Sequence, residues 1–354
     1  GTIVYTGEFG RSEERYFKGT FDGDGHQIAN LTITGRNEYV GLFGYVRNAT
    51  IQNCNVAGEV SGYNAVGGIV GAVDGKTNNI LNCSFQGNVT GNVYVGGIVG
   101  QVQNQCEVSS CYAIGTVHGG NDKVGGIAGE GRGAIKNCYA LADVSAGGKF
   151  VGGIAGDASS VTIENCYYSG EVSARGSAGG IVGNVWRGTI QNCVSLAESV
   201  TCDFQVNRIA GDERENTSLT NNHSYNRTKL VIDGNTTYPI GGAGNNVNGA
   251  DVYISNGRVM TDVQKNEVFA WTGFDKDIWD IPTKAGKLPS LQKGTYPDLP
   301  TLPSKDLTID ETPQHFTTRN IGNGFVVKVT SEGTLNESIE FTKEYRLHDT
   351  TGEW

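Results

Sequence analysis

Acidic side chains recur at a fixed distance from successive cysteines and could take part in catalysis or cation binding. Asp143, Glu171 and Glu198 each stand five residues after a cysteine. If these positions are equivalent in neighbouring structural units, the carboxylates lie about 4.8 Å apart. That spacing is close to that of the carboxylate pair of retaining glycosidases and also suits Ca²⁺. The alternative is that repeated surface carboxylates only keep the protein soluble.

Aromatic side chains form the second set of candidates. Tyr112, Tyr139 and Tyr167 each directly follow a cysteine, so they predict an aromatic strip that stacks on sugar rings or docks a protein. Trp186, beside Arg187, is predicted at a corner between strands, where it either contacts a ligand or packs over the corner. We interpret the three tyrosines, Trp186 and the three carboxylates as candidate binding residues and assign no catalytic residue.

Common catalytic motifs are missing from the sequence. None of the 5 histidines precedes Glu and no two are four residues apart, which excludes His-Glu-x-x-His zinc sites. Cys-x-x-Cys, a phosphate-binding Gly-rich loop and Gly-x-Ser-x-Gly are also absent. We therefore predict no metal and no cofactor, and we expect His223 to be a packed residue rather than a metal ligand.

Composition narrows the class of partner. The chain has 354 residues, 53 of them Gly, and a formal net charge of -10. An acidic chain without a run of Lys or Arg favours neither nucleic acid nor an anionic membrane as partner. Its apolar stretches are too short for a membrane span.

A repeated phrase must position these candidates. A block of the form Val-Gly-Gly, two hydrophobic residues and Gly recurs six times with small variations, each time followed by a cysteine, usually after Asn. The blocks begin at Val40, Val66, Val95, Val124, Val151 and Ala178, and the cysteines are Cys54, Cys83, Cys111, Cys138, Cys166 and Cys193. A period of 27 to 29 residues predicts stacked units that share one core.

Each repeat predicts about three short strands. After each cysteine, small or apolar residues alternate with polar ones, which is typical of a strand with one buried face. An Ile or Val lies three residues before each of these cysteines, and on a straight strand two side chains at that odd spacing are on opposite faces. Both are buried only if the chain turns a corner at the Asn or Ser between them. Asn tolerates the left-handed backbone conformation that such a corner needs. The sequence thus predicts an all-β, parallel β-helix of about seven to eight turns. Leucine-rich repeats and β-propeller blades fit this pattern less well.

The cysteines in this fold are predicted to be a ladder of buried free thiols, because in-register side chains make poor disulfide partners. Cys106 and Cys202 lie off the ladder, and the sequence leaves their state open.

Domain boundaries follow from changes in composition. Residues 1–250 are predicted to form the β-helix, with an atypical first turn at 16–34, and residues 251–292 its C-terminal cap, including a short helix at 263–270. Residues 293–304 are predicted as a linker, and 305–354 as a small β module that is either complete or truncated.

The repeated phrases resemble the GLUG repeat family. The resemblance rests on Val-Gly-Gly-Ile-Val-Gly at 66–71 and 95–100 and on Asn-Cys-Tyr-Tyr-Ser-Gly-Glu-Val at 165–172, and with its flanks it covers roughly residues 16–292. It implies a right-handed β-helix in a secreted or surface protein of a bacterium, such as an adhesin or a zinc-dependent immunoglobulin A peptidase. The peptidase motif is absent, so any such catalytic domain lies outside this chain.

Two functional hypotheses follow. The first is a non-catalytic extracellular module, acting as a rigid stalk or as a recognition surface for a host glycoprotein or glycan. The second is a β-helix polysaccharide lyase or glycoside hydrolase that uses the carboxylate column, by analogy of fold. The sequence predicts neither the ligand nor the oligomeric state.

Overall fold

A computed structural model describes residues 2–4, 16–237, 247–255, 258–261, 271, 274–283, 286–291, 298, 315–320 and 325–330. The chain divides into two compact units, 1–302 and 303–354. Over the described ranges every regular element is a β-strand, which confirms the all-β prediction. The predicted helix at 263–270 lies outside the described residues.

The first unit is a parallel β-solenoid of about eight turns with three sheets, as predicted. Sheet 1 includes the six strands that directly follow the ladder cysteines. Its members are Thr2–Val4, Gln27–Thr34, Asn55–Ser61, Ser84–Gly91, Tyr112–Gly119, Tyr139–Ala146, Tyr167–Ser173, Val194–Cys202, His223–Tyr225, Lys229–Ile232, Asn235–Thr237, Ala250–Ser255 and Arg258–Thr261. Sheet 2 lies between the Gly-rich block and the next cysteine and contains Phe17–Asp22, Phe43–Gln52, Val70–Asp74, Asn79–Leu81, Val99–Val102, Cys106–Ser109, Ala128–Lys136, Ala155–Glu164, Val182–Trp186, Thr189–Gln191, Ala210–Glu213 and Ser218–Thr220. Sheet 3 contains the short strands Asn64–Gly67, Val93–Gly96, Val124–Gly125, Val151–Gly152, Ser177–Gly179 and Gln205–Asn207.

The second unit, described by itself, contains the antiparallel strands His315–Asn320 and Phe325–Thr330. Both strands lie within residues 305–354, the segment that the sequence predicted to be a small β module.

Equivalent residues stack directly on one another along the solenoid. Val66 pairs with Val95, Val95 with Val124, and Val124 with Val151. Because the pairing is parallel and in register, each position of the repeat becomes a column of side chains, about 4.8 Å apart from turn to turn. Any candidate site on this fold is therefore built from columns.

The cysteine column is buried, as predicted. All eight cysteines, including Cys106 and Cys202, are free and buried. The ladder thiols donate to main-chain carbonyls, for example Cys83 Sγ to Leu81 O at 3.2 Å and Cys138 Sγ to Lys136 O at 3.1 Å. Burial raises the pKa of the Cys54 thiol to about 12. Because all of them are buried, these thiols serve as packing groups of the core.

The predicted corner before each cysteine is also present. The corner residues have φ between 50° and 54°, and they are Asn53, Asn82, Ser110, Asn137, Asn165 and Asn192. Their amides bond along the column, with Asn82 Nδ2 donating to Asn53 Oδ1 and Asn165 Nδ2 to Asn137 Oδ1, both at 3.3 Å. The corner brings the upstream aliphatic residue and the cysteine into one core.

The second glycine of the block leaves room for an inward side chain of sheet 1. A Cβ on Gly153 would lie 2.2 Å from Tyr168 Cγ, and one on Gly68 would lie 2.3 Å from Phe85 Cγ. Residues 206–211, Val-Asn-Arg-Ile-Ala-Gly, form a seventh, altered block, in which Arg208 replaces this glycine and its buried guanidinium pairs with Asp251 at 2.7 Å. The glycine thus permits a bulky core residue within the stack, and its loss coincides with the end of the stack.

The parallel stack ends in antiparallel hairpins. Lys229–Ile232 pairs with Asn235–Thr237, and Ala250–Ser255 pairs with Arg258–Thr261. Such hairpins limit the exposure of unpaired strand edges.

Candidate ligand-binding face

The tyrosine column forms as the repeat predicts. The rings of Tyr112 and Tyr139 stack with centroids 4.8 Å apart and planes within 1°, and those of Tyr139 and Tyr167 with centroids 4.9 Å apart and planes within 3°. However, Tyr139 is 3% exposed and Tyr167 is fully buried. The prediction that these two rings form an open binding strip is therefore wrong, although Tyr112 remains half-buried.

The chain itself covers the tyrosine column. Residues 271, 274–283 and 286–291, here called the strap, bring Trp271, Phe274, Trp279 and Leu288 into one buried cluster with Tyr139 and Tyr167. The Tyr167 hydroxyl donates to Pro289 O at 2.7 Å, and Trp279 Nε1 donates to Asn137 Oδ1 at 3.2 Å. These residues were predicted within a C-terminal cap, but they pack against the outer side of sheet 1. The stacked rings provide the large apolar surface that the strap needs.

The carboxylate column is also different from the prediction. Asp143 and Glu171 are neighbours, with the Glu171 N–H donating to Asp143 Oδ1 at 3.1 Å. Glu198 is displaced, because the register passes from Gly170–Ala197 to Glu171–Ser199. The sixth repeat has one extra residue after its cysteine, and the resulting bulge puts Ser199 in the column. The three-carboxylate column is therefore wrong at Glu198.

Metal ligands do not converge in the described part of the chain, where no group of three or more His, Cys, Asp or Glu side chains could hold a metal ion. His223 lies in the last full turn, paired with Val194 and Ala250 in sheet 1. Burial lowers the pKa of His223.

Trp186 lies at a corner, as predicted, and it is one of the exposed large apolar side chains at 39%. It ends the sheet 2 strand Val182–Trp186, and Arg187 follows with φ 52°. The Arg187 guanidinium carbon lies 4.4 Å from the centroid of the indole ring. The indole is thus half open on the outer side of sheet 2.

A polar column that the sequence reasoning missed runs beside Trp186. Each residue of this column directly follows the last glycine of a Gly-rich block, and the register stacks these residues on successive turns. They are Gln101, Glu130, Asp157, Asn184 and Asp212. We call this column, with the side chains that contact it, the sheet 2 face. An alignment of the repeats would have shown the succession of polar residues after the final glycine.

An ion-pair centre lies in the middle of this face. Lys123 Nζ is 3.0 Å from Glu130 Oε1 and 2.8 Å from Asp157 Oδ2. Both acidic residues are 5% exposed. Lys123 has φ 63° at the corner before sheet 3, and this conformation carries its side chain over sheet 2. Burial alone would lower the pKa of Lys123, but the hydrogen bond and charge of Asp157 and then the charge of Glu130 outweigh it and raise the pKa.

Amides extend the centre in both directions. Gln101 Nε2 donates to Glu130 Oε2 at 2.9 Å, and Asn184 Nδ2 donates to Asp157 Oδ1 at 2.8 Å. The Asn184 side chain then ends in a buried oxygen, Oδ1, without a hydrogen-bond partner. The carboxylates are consequently held by several donors, while one acceptor stays unused.

Aromatic rings flank the polar column. The Tyr94 ring lies beneath Lys123 Nζ at 5.1 Å, and the Phe150 ring lies beneath the Arg214 guanidinium carbon at 5.6 Å. Tyr94 and Phe150 have φ 59° and 64°, so they share the corner conformation of Lys123. Ring faces, fixed carboxylates and amides on one surface are suited to binding a polar ligand with some apolar C–H surface.

Comparison with known proteins identifies one motif and one similar structure. The model of the GLUG motif matches residues 91–117, which confirms the resemblance at one of the six repeats. No curated protein sequence matches the chain. A crystal structure of a Bacteroides ovatus protein described as a candidate immunoglobulin A1 protease is 23% identical, with a TM-score of 0.49 over 77% of this chain and 76% of that one.

Over the described residues there is no helix with the length and apolar character needed to span a membrane.

Residues 91–117 run from the end of one sheet 1 strand to near the end of the next, which is one complete turn. The chain is therefore a parallel β-solenoid that carries the GLUG motif.

Proposed function

We propose that this chain is an extracellular recognition and spacing module of a bacterial secreted or surface protein, adhesin-like or immunoglobulin A peptidase-like, and that its sheet 2 face binds a host glycan or glycoprotein. The observation that carries the proposal is the Lys123–Glu130–Asp157 centre, in which two nearly buried carboxylates share one ammonium group. The fold alone does not require charged residues at this place, because Ala72 occupies the same column two turns before Glu130.

Rigidity supports the spacing role. The three sheets continue in register through successive turns, and one apolar cluster extends from Leu31 to Leu230. A continuous core of this kind holds a side face in a fixed geometry, because each turn contacts its neighbours along their whole length. The extracellular location rests on the GLUG resemblance.

The chemistry of the centre favours binding over proton transfer. Lys123 is held as an ammonium ion by Asp157 and Glu130, which raise its pKa. A general base needs a pKa near the working pH and a free lone pair. The centre offers instead fixed acceptors, which orient the hydroxyl or amide donors of a ligand.

The enzyme alternative keeps one supporting observation. Asp143 and Glu171 are exposed neighbours on sheet 1, although Glu198 has left their column. A β-helix polysaccharide lyase or glycoside hydrolase would use this pair. Assays on acidic and neutral polysaccharides test it, and turnover that is abolished by Glu171→Gln would replace our proposal.

A glycan and glycoprotein array tests the recognition role. We expect the intact chain to bind at least one glycan class and the Glu130→Gln/Asp157→Asn variant to lose about tenfold or more in affinity, because a charge-assisted hydrogen bond contributes roughly 1.5–3 kcal/mol. A chain that binds nothing on the array would leave only the spacing role.

A further inference from the structure

The unused oxygen of Asn184 is the most specific unexplained feature of the sheet 2 face. Asn184 is 4% exposed, and its Oδ1 is buried without a partner. A buried acceptor that lacks a donor costs roughly 1–3 kcal/mol. Among the described residues such atoms are few, and this one lies on an outer face beside an exposed indole.

Rotating the amide does not remove the mismatch. In the column, Asn184 lies between Asp157 of the preceding turn and Asp212 of the following turn. Its Nδ2 donates to Asp157, so its Oδ1 is directed away from Asp157. With the amide turned over, the oxygen would instead be directed at the Asp157 carboxylate. In either orientation an acceptor remains that only an added donor can satisfy.

A second acceptor lies next to the first. Arg214 binds one oxygen of Asp212, with Nε and Nη2 at 2.9 and 2.8 Å from Oδ2. This pairing fixes the carboxylate and leaves its other oxygen for a ligand. Asn184 and Asp212 are register partners on adjacent strands, about 4.8 Å apart in the sheet. The register therefore puts the two acceptor side chains side by side on one face of the sheet, within reach of two neighbouring hydroxyl donors of one molecule.

An aromatic surface completes the site. Trp186 is two residues after Asn184 on the same strand, so both side chains are on the outer face. The indole is 39% exposed, and the Arg187 guanidinium lies over its ring and helps to hold it. An indole beside paired acceptors suits a sugar ring, which presents C–H groups on one side and hydroxyls at its edge.

Charge selects between the possible donors. An ammonium ligand would compete with Arg214 for Asp212 and would lie near the Arg187 guanidinium, whereas an anion would be repelled by the Asp212 carboxylate. A neutral donor avoids both repulsions. We infer that Asn184, Asp212 and Trp186 form a subsite for one neutral pyranose ring, which stacks on the indole and donates two adjacent hydroxyls to Asn184 Oδ1 and the Asp212 carboxylate. This inference rests on the proposed function and specifies its ligand chemistry.

Titration of the full chain with small probes tests the subsite. The probes are methyl β-D-glucopyranoside, methyl β-D-galactopyranoside and methyl α-D-mannopyranoside, followed through the Trp186 indole N–H and the Asn184 side-chain amide in ¹H–¹⁵N spectra. We expect saturable shifts with at least one pyranoside, with a Kd of about 1–10 mM for so small a ligand. Trp186→Ala and Asn184→Ala should weaken binding about tenfold or more, whereas Trp186→Phe should keep most of it.

Matched controls separate the outcomes. Phe204→Ala removes another exposed aromatic side chain, at a different corner, and should leave the affinity unchanged. Thermal unfolding verifies that each variant is folded. If Asn184→Ala does not fold, Trp186→Ala alone decides the result. Absence of saturation with all three pyranosides overturns the inference, and so does preferential binding of methylammonium. Array binding that survives Trp186→Ala overturns the subsite but not the proposed recognition role, whereas an array without any binding overturns the recognition role itself.

Discussion

Replacing Lys123 by Met should destabilise the solenoid strongly at neutral pH. The substitution removes the cation that lies 3.0 Å from Glu130 Oε1 and 2.8 Å from Asp157 Oδ2. The two carboxylate side chains are only 7% and 8% exposed, so water cannot replace the ammonium group well. Breaking a buried pair from one side costs about 3–5 kcal/mol, and because Lys123 is itself 21% exposed we expect the lower end, about 3 kcal/mol.

The pH dependence gives this prediction a sign. In the intact chain the pKa of Lys123 is raised, so its stabilisation is fully present below the unfolded pKa of about 10.4 and is lost as the pH rises through the higher folded value. In Lys123→Met two nearly buried carboxylates have lost their cation, and a proton taken up from solution removes the cost of burying an unpaired negative charge. The variant should therefore recover stability as the pH falls from 7 towards 5.

Urea unfolding at pH 7 and pH 5 measures both effects. The triple variant Lys123→Met/Glu130→Gln/Asp157→Asn removes the charges together and should recover part of the loss. Arg175→Met is the matched control, because Arg175 and Asp203 form an ion pair whose side chains are 78% and 53% exposed, and it should cost less than about 1 kcal/mol. A loss below about 1 kcal/mol for Lys123→Met, or a loss that does not change with pH, would refute the electrostatic reasoning.

Two further substitutions test the packing of the solenoid and the strap. Gly153→Ala places a Cβ 2.2 Å from Tyr168 Cγ and 2.3 Å from Gly180 O. It should lower the free energy of unfolding in urea by about 1–3 kcal/mol or more. Adding Tyr168→Ala should not restore full stability, because the clash with the carbonyl oxygen remains. Trp279→Ala removes a 1% exposed ring from the strap and should cost about 3–5 kcal/mol. It should also uncover Tyr139, whose pKa burial raises, so that an ultraviolet titration detects more tyrosine ionising near pH 10. Unchanged tyrosine titration in that variant would contradict the assigned position of the strap.

The fold could be predicted from the sequence because its determinants repeat. The cysteine, the Asn or Ser before it and the Gly-rich block recur six times, so one local interpretation is checked six times by the chain itself. The slip in parity at Asn82 and its equivalents required a corner, and the structure has a positive φ there. Repetition of this kind makes local and global preferences agree.

The candidate site could be predicted only in part, because its geometry depends on departures from the repeat. One extra residue before Val200 moves Glu198 out of its column, and no periodic pattern reports what a bulge does to a side chain. The strap covers Tyr139 and Tyr167 from more than 100 residues away in sequence, as the contact of Tyr167 with Pro289 shows with a separation of 122. Contacts of that range are set by tertiary packing and have no local signal.

The sheet 2 face was missed for a related reason. Lys123 reaches Glu130 and Asp157 because a left-handed corner turns its side chain across the neighbouring sheet. The sequence shows Gly-Glu and Gly-Asp after two blocks, but it does not show which corner residue faces them.

Comparison of two double variants on the strongest array ligand tests the central claim most directly. Glu130→Gln/Asp157→Asn and Asp143→Asn/Glu171→Gln each remove two carboxylates from adjacent turns, the first pair from sheet 2 and the second from sheet 1. With affinities measured by calorimetry, we expect the sheet 2 variant to bind about tenfold or more weakly and the sheet 1 variant to bind like the intact chain. Equal affinities for the two variants, or a loss confined to the sheet 1 variant, would contradict the assignment of recognition to the sheet 2 face.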